Sequence, residues 1–248
     1  MLRLMLTEAL WSKLKDAMFA AGIYESDHLR MIVEGILWRL RCGAPWRDLP
    51  TEFGPWQTVY NQFNRWSKAG HWQKIFALIR GEVDNEWNFM DGTYIKVHQH
   101  ATGAREDANQ AIGVSRGGNT TKVHMLCDAH GNPLAFELTG GNVHDVAMAE
   151  NLIEVAAAEI LIGDKGYDSE ETRQQARAKG IQPVIPRRIN SARPNPEFDK
   201  FLYRHRHLIE NLFAKLKHFR ALATRYDKLA RNYAAVVVIA CMFIWLKI

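Results

Sequence analysis

Apolar residues recur three and four positions apart through the first third of the chain, and that spacing predicts helices. Leu10, Trp11, Leu14 and Met18 share one face of a first helix, which Thr7 can cap. Ile32, Val33, Ile36, Leu37 and Leu40 line a second, with Ser26 or Asp27 as its cap and Gly43 as its stop. Pro45, Pro50 and Pro55 punctuate the loop that follows. A third helix starts at Pro55, carries Trp56, Val59, Tyr60, Phe63 and Trp66 inward and ends at Gly70; a short fourth holds Trp72, Ile75, Phe76 and Ile79. The other face of the third helix is polar, with Gln57, Thr58, Asn61, Gln62, Asn64 and Arg65. Such amide and guanidinium groups can read base edges from a helix-turn-helix, although most polar helix faces are simply hydrated.

Near Trp87 the period changes from helical to alternating. Asn88 to His98 is β-branched and predicts a strand; Thr120 to Cys127 predicts a second. Gly131-Asn132 is a turn, and Pro133 to Leu138 returns as the third strand of a hairpin. Asp145 to Ala158 predicts a helix, Glu159 to Gly163 a short buried strand, Ser169 to Lys179 a helix stopped by Gly180, and Gln182 to Ile185 a further strand. A Pro- and Arg-rich connector from Pro186 to Pro196, carrying Arg187 and Arg188, leads into a long helix from Phe198 and a last apolar one. Between Gln99 and Asn119 the chain is Gly-rich and polar, the composition of a mobile loop. This order predicts an α/β domain over residues 83–248, behind a small all-helical, helix-turn-helix-like domain over residues 1–82.

Composition changes the picture mainly through charge. Residues 1–82 carry 11 Lys and Arg against 8 acids, residues 83–164 carry 4 against 12, and residues 165–248 carry 17 against 7. A cationic final third beside an acidic middle favours a polyanionic partner. Cys42, Cys127 and Cys241 have neither zinc-ligand nor redox spacing and read as free thiols of a reducing cytosol. The amphipathic first residues lack the apolar block of a signal peptide, and the run from Ala234 to Leu246 is shorter than the roughly 20 residues that span a bilayer. A cytoplasmic, nucleoid-associated protein is expected.

Three acids are placed for chemistry. Asp91 interrupts an apolar strand, Asp164 follows the buried strand Ile160-Leu-Ile-Gly, and Glu210 lies on the final-third helix. At 100° per residue Tyr203, Arg206, Glu210 and Lys217 fall within an arc of about 60°, away from the apolar face of Leu208, Ile209, Leu212, Leu216 and Phe219. By pattern alone that edge is equally a solvent-facing salt-bridge stripe. If the three acids converge, two carboxylates 4 Å apart repel by about 4 kcal/mol at an effective dielectric of about 20. They then stay ionised only beside a cation, and all-oxygen ligands suit Mg²⁺ or Mn²⁺. Two such ions serve in-line phosphodiester chemistry, with nearby Arg and Lys holding phosphates.

Tyr203-x2-Arg206-x3-Glu210-x6-Lys217 resembles the signature of DDE transposases from bacterial insertion sequences. Asp91-Gly92-Thr93, Gly140-Gly-Asn-Val-His-Asp145 and Gly163-Asp-Lys-Gly-Tyr-Asp168 resemble the blocks around that family's other acids. Gly43-Ala-Pro-Trp-Arg-Asp-Leu-Pro50 and Phe53-Gly-Pro-Trp-Gln-Thr-Val-Tyr60 resemble its DNA-binding segment. The resemblance implies an RNase H-like mixed sheet flanked by helices, and Asp91, Asp164 and Glu210 as catalytic ligands of two Mg²⁺ ions, with Mn²⁺ able to substitute. It implies that Arg206 and Lys217 touch phosphates and that Tyr203 packs on the DNA end. It also implies an N-terminal segment, with Gln57, Asn61 and Arg65 on its polar helix face, that recognises terminal inverted repeats, and a synaptic homodimer on double-stranded DNA. Arg187 and Arg188 join the DNA-binding candidates, and His144 is a candidate support for the site.

Other assignments compete. Asp128 sits in a turn-prone segment, Asp168 and Asp145 can cap helices, and a zinc site from His98, His100, His124 and His144 has no recognised spacing. A non-catalytic DNA-binding regulator would leave the three acids without a purpose, and an inactive transposase copy would keep the same fold.

Overall fold

A computed structural model describes residues 4–104, 109–191, 193–196 and 198–247. They form two compact units, one of Met1–Gly81, Val97–Gln110 and Leu216–Ile248, the other of Glu82–Lys96 and Ala111–Lys215. The sequence had grouped all of residues 83–248 together; here two later segments belong with the N-terminal helices.

The first unit begins with α1 (Glu8–Ala20), α2 (Leu29–Cys42), α3 (Trp56–Lys68) and α4 (His71–Ile79). Thr7 caps α1, its hydroxyl accepting from Leu10 N–H. Neither expected cap serves α2, which starts at Leu29 with no side-chain cap; Ser26 contributes its carbonyl to Leu29 N–H instead. Gly43 ends α2 in the left-handed region at φ 67°, and a Cβ there would lie 2.9 Å from Arg220 Cβ. Glu34 on α2, 1% exposed, accepts from the Met5 and Leu6 N–H groups at 2.8 and 3.0 Å and so ties the N-terminal segment down. Trp66 and Trp72 meet edge to face at 5.3 Å, and both are buried. Trp56 and Tyr60, expected in the core, are only half-buried.

The second unit is a mixed sheet with helices. It comprises β1 (Trp87–Val97), β2 (Gly113–Ser115), β3 (Gly118–Cys127), β4 (Pro133–Gly140), α5 (Ala149–Val155), β5 (Ile160–Gly163), α6 (Glu170–Ala178), β6 (Gln182–Val184), α7 (Lys200–Arg204) and α8 (His207–Lys217). The order is β2-β3-β1-β5-β6, with β4 also paired to β3. β1, β3 and β4 run antiparallel, whereas β5 is parallel to β1 and β6 parallel to β5. Part of the expected loop after Gln99 is therefore strand, because β2 pairs with Gly118–Thr120; residues 105–108 lie outside the described residues.

Two helices depart from the periodicity. The stretch Asp145–Met148 is a 3-10 turn and α5 stops at Val155. There Lys179 Nζ donates to the carbonyls of Ile153, Glu154 and Ala156 at 2.9, 2.7 and 2.8 Å, closing the helix end. The long helix expected from Phe198 is interrupted between α7 and α8, where His205 and Arg206 N–H groups bond three residues back. The chain then rejoins the first unit as α9 (Arg220–Ala223), β7 (Thr224–Arg225) and α10 (Ala230–Leu246). Almost all of α10 is buried, and it packs on α1, α2, α3, α4 and α9. No helix among the described residues is long and apolar enough to cross a membrane.

Candidate active site

Asp91 and Asp164 meet because of strand register. Met90 pairs with Gly163 between the parallel strands β1 and β5, so the next residues on each chain are Asp91 and Asp164. Parallel neighbours lie about 4.8 Å apart. Apolar partners on both strands hold this register: Phe89, Met90, Leu161 and Ile162 are fully buried.

Arg206, at the break between α7 and α8, joins three carboxylates. Its Nη2 donates to Asp91 Oδ2 at 2.6 Å and lies 3.5 Å from Glu210 Oε1; its Nη1 lies 3.4 Å from Asp164 Oδ1. Tyr203 completes the group, its hydroxyl donating to Asp164 Oδ1 at 3.3 Å and accepting from Arg206 Nη1 at 3.3 Å. Asp91 is 14% exposed and Glu210 59%, so the cluster opens from a buried floor towards solvent.

Burial pushes the Asp91 carboxyl above its ordinary range, against the Arg206 charge and the Gly92 N–H that stabilise its anion; Asp164 pushes it further. Burial also works against the Arg206 charge, but Asp91, Tyr203 and Asp164 together hold it above its usual value. Both values move up, which disfavours the Asp91 anion and favours the Arg206 cation: at the carboxyl burial outweighs the partners, and at the guanidinium the partners outweigh burial. Burial raises the Tyr203 hydroxyl too, so it stays a donor.

A second charged group occupies the opposite face of the sheet. In the β1–β3 register Gly92 faces His124 and Tyr94 faces Lys122, on the side that Asp91 does not use. Lys122 and His124 are both buried. Lys122 Nζ sits 2.7 Å from Asp145 Oδ1, and His124 Nδ1 lies 3.4 Å from the same oxygen and 3.5 Å from Tyr167 Oη. His124 Nε2 meets Thr139 Oγ1 at 2.9 Å. Burial opposes the Asp145 anion, yet His124 and Lys122 outweigh it and hold its carboxyl below the usual range. Asp145 is wedged between the residues that flank the other acids. A Cβ on Gly92 would lie 2.6 Å from its Oδ1, and one on Gly166 2.7 Å from its Oδ2.

A family model described as "Transposase DDE domain" matches residues 87–245, and one described as "Putative transposase of IS4/5 family" matches residues 6–76. The chain belongs to the DDE transposases. A putative transposase for insertion sequence element IS6501 from Brucella ovis is 34% identical over 130 residues, covering 52% of this chain and 99% of that one. A putative transposase for element IS402 from Burkholderia cepacia is 34% identical over 136 residues, covering 50% and 62%. An uncharacterized protein, y4sN, from Sinorhizobium fredii is 38% identical over 76 residues, covering 31% and 61%. The chain thus spans about three fifths of the length of the last two relatives. The mixed sheet with flanking helices is the RNase H-like layout of transposase DDE domains.

In this chain the residues singled out in the sequence are distributed unequally. Asp91, Asp164, Tyr203, Arg206 and Glu210 come together. Lys217 is the last residue of α8 and belongs to the first unit. Gln57, Asn61 and Arg65 are exposed on α3. Arg187 is engaged by Glu170 at 3.0 Å and Asp168 at 3.7 Å, while the Arg188 side chain is exposed. His144 is exposed, and the neighbouring Asp145, read as a cap, turns inward instead. Asp168 does not cap α6; it pairs with Arg173 at 2.8 Å and accepts from Arg188 N–H at 2.7 Å. Asp128 accepts from the His130 and Asn132 N–H groups, as its turn requires. The sequence does not mark Lys122, marks His124 only as a zinc ligand and Tyr167 only within the Gly163–Asp168 block; the alternation of β3 alone does not say that Lys122 and His124 are buried.

The donor chemistry at the cluster fits a hard divalent cation, since Asp91, Asp164 and Glu210 supply only oxygen. The cation they share here is the Arg206 guanidinium, and among the described residues no three acidic, His or Cys side chains stand close enough to hold a metal as they are.

Proposed function

We propose that this chain binds the terminal inverted repeats of an insertion sequence, hydrolyses the phosphodiester at each element end, and joins the freed 3′-OH ends to target DNA. One arrangement supports this most: Asp91 and Asp164 directly follow the last pair of the parallel β1–β5 register, and both gather with Glu210 on a single cationic group. In the joining step the 3′-oxygen forms a bond to a target phosphorus as the target P–O3′ bond breaks, so no covalent protein intermediate arises.

The three carboxylates would hold two Mg²⁺ ions, with Mn²⁺ able to substitute, and bound metal would stabilise charge on the attacking and leaving oxygens. Arg206 carries its charge at any working pH and, once released from the acids, is suited to a bidentate grip on a backbone phosphate. Tyr203 keeps its proton and packs beside that phosphate. Lys217 and Arg188 each contact backbone phosphate, and Arg187 steadies the connector through Glu170. Residues 1–82, with Gln57, Asn61 and Arg65 on α3, recognise the repeats, and residues 83–248 carry the chemistry. Two copies bring two ends together as a synaptic dimer, acting on the nucleoid in the cytoplasm.

The test uses purified protein, a DNA end with its native flanking repeat, and Mg²⁺, beside Asp164→Asn and Glu210→Gln. Wild type should nick at the repeat boundary and join ends to plasmid; both variants should bind DNA and do neither. Binding without cleavage by wild type would favour a regulator or an inactive copy, and cleavage surviving both substitutions would show that other acids do the chemistry.

A further inference from the structure

A cavity of about 1140 Å³ in the first unit has no part in the chemistry above. Its walls are aromatic: Trp46 at one end of the loop after α2, Trp56 and Tyr60 on α3, and Tyr226 after β7. Trp56 and Tyr60 are the two α3 residues that periodicity places inward yet the structure leaves half-buried. Cations lie on these rings. The Arg47 guanidinium stands 5.7 Å from the Trp56 ring centre and that of Arg39 5.1 Å from Trp46. Arg39 is buried and paired with Asp227 at 3.3 Å, so it builds the wall, whereas Arg47 and Lys228 are exposed at the rim.

Two polar atoms in the lining lack a partner among the described residues, the donor Arg39 Nε and the acceptor Asn232 Oδ1. Asn232, on α10 and 4% exposed, has a buried Oδ1 with no hydrogen bond among the described residues. A buried acceptor left unpaired costs about 1–3 kcal/mol, so the site calls for a donor. The unit is also the cationic part of the molecule, with 18 Lys and Arg against 10 Asp and Glu, a formal +8. Aromatic faces, a cationic rim and a waiting acceptor match one chemical class: a planar base with an exocyclic amine, attached to a phosphate backbone. A proline-rich peptide would suit the aromatic walls but would bring no N–H from its proline rings to Asn232 and no charge to the rim.

We propose that this cavity receives an unstacked, amine-bearing nucleobase of a DNA strand, stacked on Trp56 and Tyr60 and donating to Asn232. This rests on the reading of the chain as a DNA-binding transposase. The base is extruded from its stack, its amine pairs with Asn232 Oδ1, and Arg47 and Lys228 hold the flanking phosphates.

The test measures binding of the full chain to labelled strands of equal length by fluorescence anisotropy. The strands are oligo(dC), oligo(dT) and an abasic strand, with a duplex as reference. Oligo(dC) should bind at least tenfold tighter than the abasic strand and measurably tighter than oligo(dT), which has a carbonyl where cytosine has its amine. Trp56→Ala should lower the ratio of oligo(dC) to abasic-strand affinity about tenfold, and Trp56→Phe should restore it. Asn232→Leu should erase the preference for dC over dT. Equal binding of base-bearing and abasic strands, a thymine preference in wild type, or a base preference surviving Trp56→Ala would overturn the cavity assignment while duplex binding kept the DNA reading alive. Failure to bind any of the four DNAs would remove both.

Discussion

At the scale of single residues, Arg206 is the pivot of the site. Three carboxylates within 3.5 Å of one guanidinium repel each other as soon as it is removed. Arg206→Gln should therefore destabilise the metal-free, DNA-free protein by about 1–2 kcal/mol, below the 3–5 typical of fully buried pairs because Glu210 faces solvent. The same variant should gain more from Mn²⁺ than wild type does. Thermal melts with and without Mn²⁺ measure both effects, and an equal Mn²⁺ response in the two proteins would mean that Arg206 does not compete for the acids' charge. Asp145 is the second pivot. Asp145→Asn leaves the buried Lys122 charge without its counter-ion and should cost about 2–3 kcal/mol near neutral pH. Because the Asp145 carboxyl is held below its unfolded value, its stabilisation is present above the ordinary carboxylate range and is lost as pH falls through the folded value. Wild type should thus lose more stability than Asp145→Asn when acidified from about pH 5 to about pH 3. Parallel acid-unfolding curves would count against this role.

At the scale of elements, tertiary contacts decide where helices stop. Ala156, Ala157 and Ala158 are good helix formers, yet α5 ends before them. The end is closed by Lys179 on the carbonyls of Ile153, Glu154 and Ala156, and Ala157 N–H turns to Asn88 Oδ1 at 3.3 Å. Lys179→Met keeps the aliphatic stem and removes the three donors; it should cost about 1 kcal/mol, discounted for exposure, and should speed amide exchange in the last turn of α5. Unchanged exchange there would show that water caps the helix equally well. The break between α7 and α8 has a comparable origin, since Arg206 leaves the helical hydrogen-bond pattern where its guanidinium engages Asp91. The angular argument for Tyr203, Arg206 and Glu210 survives the break because all three still reach the same cluster.

At the scale of the whole chain, charge follows the compact units rather than thirds of the sequence. The first unit carries the +8, and the second, with 14 Lys and Arg against 17 acids, carries −3. DNA affinity should then fall steeply with salt, and Arg65→Gln, on the exposed face of α3, should lower the slope of log affinity against log salt by about one if it neutralises one phosphate. Titrations at several ionic strengths measure that slope; an unchanged slope with weaker binding would make Arg65 a base reader instead.

By itself the sequence determined the kind and order of nearly every element, because periodicity of two or 3.6 records which face of a segment meets the core. It also marked Asp91, Asp164 and Glu210, since carboxylates in an apolar strand, at a strand end and on a mixed helix edge depart from those periods. Tertiary structure alone decided what lies between and behind them. Parallel register sets Asp91 beside Asp164, antiparallel register buries Lys122 and His124 behind the first acid, and Asp145 comes from a turn more than 50 residues away from it. It also left Trp56 and Tyr60 facing a cavity instead of the core. Local patterns carry burial; they do not carry which distant charge a buried group will meet, because that depends on pairing between segments far apart in the chain.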